Sequence, residues 1–354
     1  MRQALKIVLV LLVSVAPASA IQTKFGDANI QFTLGALYDS NLLKYSASDR
    51  TNFLNESETY KSPIRALDDL RTDYKVSVEL RNKFWKKRLT SFRVTADFAH
   101  HAMNPIKNLG WLSLSARQDF SKAWITNIGY FFEPKFFIRD YTDSHTGLRQ
   151  HCDFSLNQLK GDLTYRPNSL YDFTGHYKYK AYRYNEFFTE YDGDSWALGL
   201  NTVYRPGDWR FSAGYTFEKF DNSGFSSSDL IPANSGLTDS EFGQGDYEED
   251  AVTGSARYSF IGLRREMYLQ CNIEGSKRAF TTGRDAVIDA MHSGREDIVV
   301  EFSIVNQISL TKQVGIELGI GAASRDSDAT DPKVGDLKDY KRTTAWIEIS
   351  YELK

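Results

Sequence analysis

The sequence contains no window approaching ~18 consecutive apolar residues, which excludes a membrane-crossing helix. Cysteine is almost missing, with two in 354 residues, so a disulfide framework cannot be what holds the chain together. Cys152 sits at a polar loop edge, whereas Cys271 falls in phase with Met267, Leu269 and Ile273 on an apolar strand face. The two are not expected to pair, and Cys271 reads as a small hydrophobe. Histidine is sparse as well, six in all, and shows no zinc-like pair spacing. There is no basic excess: setting Arg2 and Lys6 aside leaves 41 basic against 46 acidic side chains, which argues against a nucleic-acid partner. A chain of this length could hold two domains, but no linker divides it.

What is present begins at the N-terminus. Arg2 and Lys6 precede an apolar stretch from Ile7 to Val13, and Ala18-Ser19-Ala20 supply the small residues of a cleavage site. Residues 1–20 are therefore expected to be a secretory signal peptide cleaved near Ala20, leaving 21–354 as one exported domain.

Nearly all of that domain alternates with period two. Ile30, Phe32, Leu34, Ala36 and Tyr38 interleave with Gln31, Thr33 and Gly35. Tyr171, Phe173, Tyr177 and Tyr179 interleave with Asp172, Thr174, His176, Lys178 and Lys180. The pattern predicts strands over 28–39, 72–84, 89–100, 109–119, 123–133, 152–165, 170–183, 194–205, 209–219, 250–259, 265–279, 297–309, 314–324 and 342–353. These are longer than the usual strands of soluble sheets, and they suit a tilted crossing of a ~25 Å apolar band. In a bilayer every backbone N–H and C=O must be paired, so such a sheet has to close on itself. The expected fold is an all-β, antiparallel, up-and-down transmembrane barrel of about 14 strands. Phase shifts near 109–119 and 152–165 leave 12 or 16 open. Connections alternate short and long, with long outer loops expected near 40–71, 134–151, 220–249, 280–296 and 325–341.

A small repeat supports the phase. Tyr165-Arg166-Pro167 and Tyr204-Arg205-Pro206 each end a strand, and an aromatic, Tyr171 or Trp209, opens the next. With Phe84, Phe120, Trp124 and Tyr258 these aromatics predict a periplasmic girdle. Tyr38, Tyr74, Phe98, Tyr130, Tyr179 and Trp196 predict an outer one.

By these features the chain resembles the porin-like bacterial outer-membrane barrels. Thr344 to Leu353 is similar to the C-terminal strand by which such proteins are recognised for insertion, although Lys354 stands where an aromatic is usual. Tyr38-Asp39-Ser40-Asn41-Leu42 resembles an element of barrels associated with surface polysaccharide export. Few residues separate Ala20 from the first strand, which argues against a hatch domain of the TonB-dependent kind. The resemblance implies a bacterial outer-membrane location, outer-membrane lipid and lipopolysaccharide as surroundings, and the barrel assembly machinery as a partner during insertion.

If the apolar phase meets lipid, the other phase lines the lumen. That phase carries both signs in similar number, Lys75, Arg93, Lys160 and Arg257 among the bases and Asp97, Glu218, Glu301 and Glu348 among the acids, so strong ion selectivity is not expected. The ladder His176, Lys178, Lys180, continuing to Tyr182 and Tyr184, is the candidate track for an anion or a sugar, with Arg210, Arg257 and Glu274 as further lumen candidates. No cofactor is expected. The acidic segment 221–250 raises Ca²⁺ or Mg²⁺ as an option, with Asp246, Glu248, Glu249 and Asp250 as candidate ligands, although its spacing matches no known calcium loop. His100, His101, His145 and His151, near Ser144 and Asp143, leave room for a lipid-modifying enzyme, but no serine motif accompanies them. The leading expectation is a porin-like channel for small hydrophilic solutes and not an enzyme. The alternative is a barrel anchor or export partner for surface polysaccharide or protein. The solute or surface polymer is not named by the sequence.

Overall fold

The alternation closes into a cylinder. The computed structural model describes residues 21–23, 26–55, 63–85, 87–143, 146–225 and 242–353; the expected signal peptide lies outside them. Fourteen long strands run antiparallel in chain order: β1 (Gly26–Asp39), β2 (Asp69–Trp85), β3 (Arg88–His101), β4 (Leu109–Asp119), β5 (Trp124–Thr142), β6 (Arg149–Tyr165), β7 (Tyr171–Tyr184), β8 (Gly193–Tyr204), β9 (Trp209–Asp221), β10 (Tyr247–Gly262), β11 (Arg265–Phe280), β12 (Glu296–Ser309), β13 (Val314–Asp328) and β14 (Tyr340–Leu353). Each pairs with the next, and β14 returns to β1 with Ile347 opposite Ala36, so no edge is left open. A three-residue strand, Ile21–Thr23, lies antiparallel on the start of β1.

The side-chain phase follows from the register. Tyr177 pairs with Leu198 and Gly161, and Tyr179 with Trp196 and Leu159; the five side chains point outward. Exposed large apolar residues such as Phe32, Val76, Val94, Leu163, Leu200, Ile273, Phe302 and Ile320 form a belt around the cylinder. A soluble protein would bury these groups, whereas hydrocarbon accepts them and leaves the polar phase inside. At the end with the short turns, Trp124 packs on Tyr165 at 4.8 Å, Tyr171 on Tyr204 at 4.9 Å and Trp209 on Tyr258 at 4.8 Å between ring centroids. Amphipathic rings grouped in this way suit headgroup depth. The repeated turns also share one anchor: Arg166 and Arg205 both donate to the carboxylate of Asp172, at 2.6 and 2.5 Å.

The expected long loop at 134–151 is not one. β5 continues to Thr142 and β6 starts at Arg149, leaving only 143–148 as connection. Glu133-Pro134-Lys135 interrupts the alternation because proline has no N–H to give to a ladder. The strand absorbs the break as irregular register between Glu133 and Phe136 and again between Phe137 and Arg139. For the same reason Cys152 is not at a polar loop edge: it is fully buried on the inner wall beside Tyr141 and Phe188. Neither cysteine is in a disulfide.

The first outer loop folds over the mouth. Ser46 caps helix α1 (Ala47–Leu54), its hydroxyl accepting from Asp49 N at 3.1 Å. Phe53 then packs with Leu43, Tyr45 and Ile64 onto Phe137 of β5. Asp49 lies 3.6 Å from Arg139, whose guanidinium also donates to the Leu43 carbonyl. A second short helix, α2 (Lys333–Lys338), sits in the last outer loop. The part of the mouth bounded by β1 to β5 is thereby capped by a small apolar core.

Candidate functional site

Of the sequence-derived lumen candidates, His176, Lys178, Lys180, Tyr182 and Tyr184 all occupy the inward phase of β7; Arg210 does so on β9, Arg257 on β10 and Glu274 on β11. They fall into two places. Arg210, Arg257 and Glu274 line a cavity of about 660 Å³ inside the barrel, together with Glu301, Arg342 and Trp346. Tyr182 and Tyr184 line a smaller one of about 240 Å³ nearer the outer mouth, with Tyr247, Arg278 and Phe280. Lys178 and Lys180 stand between the two levels on β7.

Charges in the lumen are tied along the wall and not across it. Glu79 takes Arg81 of its own strand at 2.7 Å and Arg93 of β3 at 2.8 Å. Lys160 meets Asp162 at 3.0 Å, Arg278 meets Glu249 at 2.7 Å, and Arg342 meets Asp39 at 2.7 Å. Lys180 reaches two strands over to Glu218 at 2.7 Å. Among the described residues, these pairs on one strand or on near neighbours run around the wall of the cylinder. Lys178 faces its register partner Lys160 and, among the described residues, has no carboxylate at ion-pair distance, so its ammonium is the one on this ladder that a passing anion would meet.

Two rings lie flat against the wall because glycine opposes them. Trp346 covers Gly319, its register partner on β13, and its indole N–H donates to Glu317 at 3.0 Å. His176 covers Gly199 of β8 and meets the Thr216 hydroxyl at 3.1 Å. Any side chain at either glycine would push the ring into the lumen.

The proposed metal ligands do not gather. Glu248 and Asp250 point outward, Glu248 to Lys219 at 2.9 Å and Asp250 to the Tyr215 hydroxyl. Glu249 points inward to Arg278, and Asp246 accepts from Asn222 N at 2.6 Å and from Gln244 at 2.5 Å. Among the described residues no cluster of three or more His, Cys, Asp or Glu could hold an ion. Asp229, Asp239 and Glu241 lie outside the described residues, as do Ser144 and His145. His100 and His101 take opposite faces of β3, so they cannot act on one substrate: His101 is buried 3.5 Å from Asp69. His151 pairs with Asp140 at 2.6 Å.

Sequence reasoning missed Arg278, Arg325, Arg342, Trp346, Phe220 and Tyr247 as lumen groups. Each keeps the inward phase of its strand: Arg278, Arg342 and Trp346 lie inside strands expected from the sequence, and extending the alternation by one to three residues at the outer ends would have found Phe220, Arg325 and Tyr247. The Tyr38-Asp39-Ser40-Asn41 element has a structural job. Asp39 accepts from Arg342 across the β1–β14 seam at 3.0 Å, and the fully buried Asn41 donates to the carbonyls of Tyr45 and Lys341 while accepting from Tyr45 N. The element locks the closing seam to the start of the capping loop.

No protein-family model and no curated protein matches the sequence. Several solved outer-membrane barrels resemble its fold. The outer membrane channel DcaP of Acinetobacter baumannii is 14% identical with a TM-score of 0.48, over 95% of this chain and 100% of that one. An anion-selective porin from Comamonas acidovorans is 8% identical with a TM-score of 0.46, over 92% and 98%. A bacterial polysaccharide outer membrane secretin is 9% identical with a TM-score of 0.45, also over 92% and 98%. At such identities the solute has to be argued from the residues of this chain.

Proposed function

We propose that this chain is a channel of the Gram-negative outer membrane through which small hydrophilic solutes pass passively. The observation that carries the reading is the polar cavity of about 660 Å³ inside a closed barrel whose ion pairs run along the wall. A 14-stranded cylinder stands between eight-stranded barrels filled by side chains and 16-stranded ones with an aqueous channel. Flat-lying Trp346 and His176 keep this one from being filled.

The entry route lies opposite the cap. The first outer loop covers the β1 to β5 side, whereas the mouth cavity is lined from β7 to β13 and the larger cavity below it from β9 to β14. A solute would descend past Tyr182 and Lys180 to Lys178 and Glu274. Mixed charge at that level gives weak selectivity, with Lys178 the residue that tips it toward anions. The surroundings in this reading are outer-membrane lipid and lipopolysaccharide, reached through the barrel assembly machinery.

The test is single-channel recording in planar bilayers with the purified, detergent-refolded barrel. Steady open steps whose size falls as the solute grows support the channel. A correctly inserted barrel that stays electrically silent removes it and favours an anchor or export partner for a surface polymer.

A further inference from the structure

The outer cavity has a composition that a bare water passage does not need. Aromatic rings follow one another around its wall: Tyr182 meets Phe220 at 5.8 Å, Phe220 stacks on Tyr247 at 5.0 Å with 14° between planes, and Tyr247 meets Phe280 at 6.1 Å. They come from β7, β9, β10 and β11, each from the inward phase at the outer strand end. Apolar ring surface facing a hydrated lumen is unfavourable unless something covers it.

Each cation around these rings already has a fixed carboxylate beside it, with Asp297 serving two arginines. Arg278 lies over the Tyr247 ring at 3.9 Å and donates to Glu249 at 2.7 Å. Arg295 lies over Phe280 at 4.5 Å and is held by Asp297, which also has Arg325 within 3.9 Å. Lys180 is neutralised by Glu218. A free anion would have to compete with fixed carboxylates for every cation there. An uncharged polyol would not, because donors and acceptors stand side by side on the paired groups, and ring faces can take its C–H surface. At about 240 Å³ the cavity is smaller than the ~300–1,000 Å³ of pockets for drug-sized ligands, and it admits a single six-membered ring.

We infer that this outer cavity is a carbohydrate subsite that holds one uncharged pyranose unit against Tyr182 and Phe220, with the buried Tyr247 backing the Phe220 ring, before it enters the lumen. The inference rests on the channel reading for its place in a pathway, but the site itself is defined by the rings and the paired charges.

Two measurements separate the site from the channel. The first is equilibrium dialysis of tritiated glucose and maltotriose against the detergent-solubilised barrel, which needs no conduction. Saturable binding at millimolar sugar is expected. Phe220→Leu, which keeps apolar volume but removes the ring face, should weaken it about tenfold. The second is the current through single channels with the same sugars added on the outer side. Sugar-dependent interruptions are expected, weakened by Phe220→Leu when each current is normalised to that channel's own conductance in plain salt. A channel that conducts but neither binds sugar nor shows interruptions overturns the subsite and leaves the channel standing. Interruptions by benzoate and not by sugar overturn it in favour of an aromatic anion. Sugar binding by a silent barrel overturns the channel and leaves the subsite.

Discussion

Replacing Gly319 by alanine tests whether the lumen is kept open by a ring laid flat on its wall. A Cβ at this position would sit 2.0 Å from Trp346 Cζ2, where ordinary contact begins at 3.4 Å. The indole must therefore retreat by more than an ångström. It cannot go outward through the β13–β14 ladder, so it moves into the cavity it lines. Overpacking of this kind costs ~1–3 kcal/mol. Loss of the bond from the indole N–H to Glu317 adds about 1 kcal/mol. Gly319→Ala should thus destabilise the inserted barrel by about 2–4 kcal/mol and lower its single-channel conductance. Trp346→Ala should raise conductance, and in the double variant the alanine at 319 should cost almost nothing, a coupling of about 2–4 kcal/mol. Urea unfolding from lipid vesicles gives the energies, and bilayer recording gives the conductance. If the two penalties simply add, or if Gly319→Ala leaves conductance at the wild-type level, the wall-packed ring is not what holds the passage open.

Other consequences are shorter to state. Asp172→Asn keeps the shape but weakens both arginine contacts at the short-turn end, so urea unfolding should show a loss of about 1–3 kcal/mol; an unchanged midpoint would mean that the repeated turns do not need the shared anchor. Lys178→Glu should move the reversal potential in a salt gradient toward cation preference, whereas the double variant Lys180→Gln/Glu218→Gln should change it little because the two charges already cancel each other; equal shifts would contradict the wall-pairing argument. Lys107, in the outer loop between β3 and β4, is buried against the Phe136 ring and donates to the Phe137 carbonyl, and burial pushes its ammonium pKa down to about 7. Arg139 and Lys44 add to that fall, and Asp39 and Glu133 oppose it. A loop released into water would bind this proton with a pKa of about 10.4, so the released state holds more protons between the two values and the docked cap gains stability as pH rises from about 7 to about 10.4. Trypsin cleavage of the capping loop, normalised to an unfolded control, should fall between pH 7 and pH 9 and lose that trend in Lys107→Met.

How much of this was legible in the sequence depended on which physical constraint a residue reports. β4 coincides with the expected 109–119, and the phase shift expected there does not occur: its register runs without a break to both neighbours, Ser113 opposite Thr95 and Phe131. The hairpin of β5 and β6 was cut short because Pro134 and its neighbours carry the signature of a turn, and only the cross-strand contacts that follow, Phe136 on Phe154 at 5.2 Å, show that the ladder resumes. Strand ends elsewhere were drawn early for a related reason. Phe220, Arg325 and Tyr247 belong to ladders at the outer rim, where outward positions turn polar, as at Lys219, Asp326 and Glu248, and hydrophobic alternation fades before hydrogen bonding does.

The candidate site shows a deeper limit. Period-two phase tells which side of the sheet a residue faces, and it put His176 through Tyr184 on the inner wall together with Arg210, Arg257 and Glu274. It does not tell the height of a residue on one strand relative to a residue seven strands away. Height depends on strand tilt and stagger, which are fixed only when the cylinder closes. In the closed structure β7 is divided: Tyr182 and Tyr184 join an aromatic arc with Phe220 and Tyr247, while Lys178 faces the lumen alone below them. The ladder read from the sequence as one continuous track is therefore two sites in series, a ring-lined mouth and a charged interior. The seam that sets the stagger between them is held by Asp39 and Arg342, at the very element whose sequence had suggested only a resemblance.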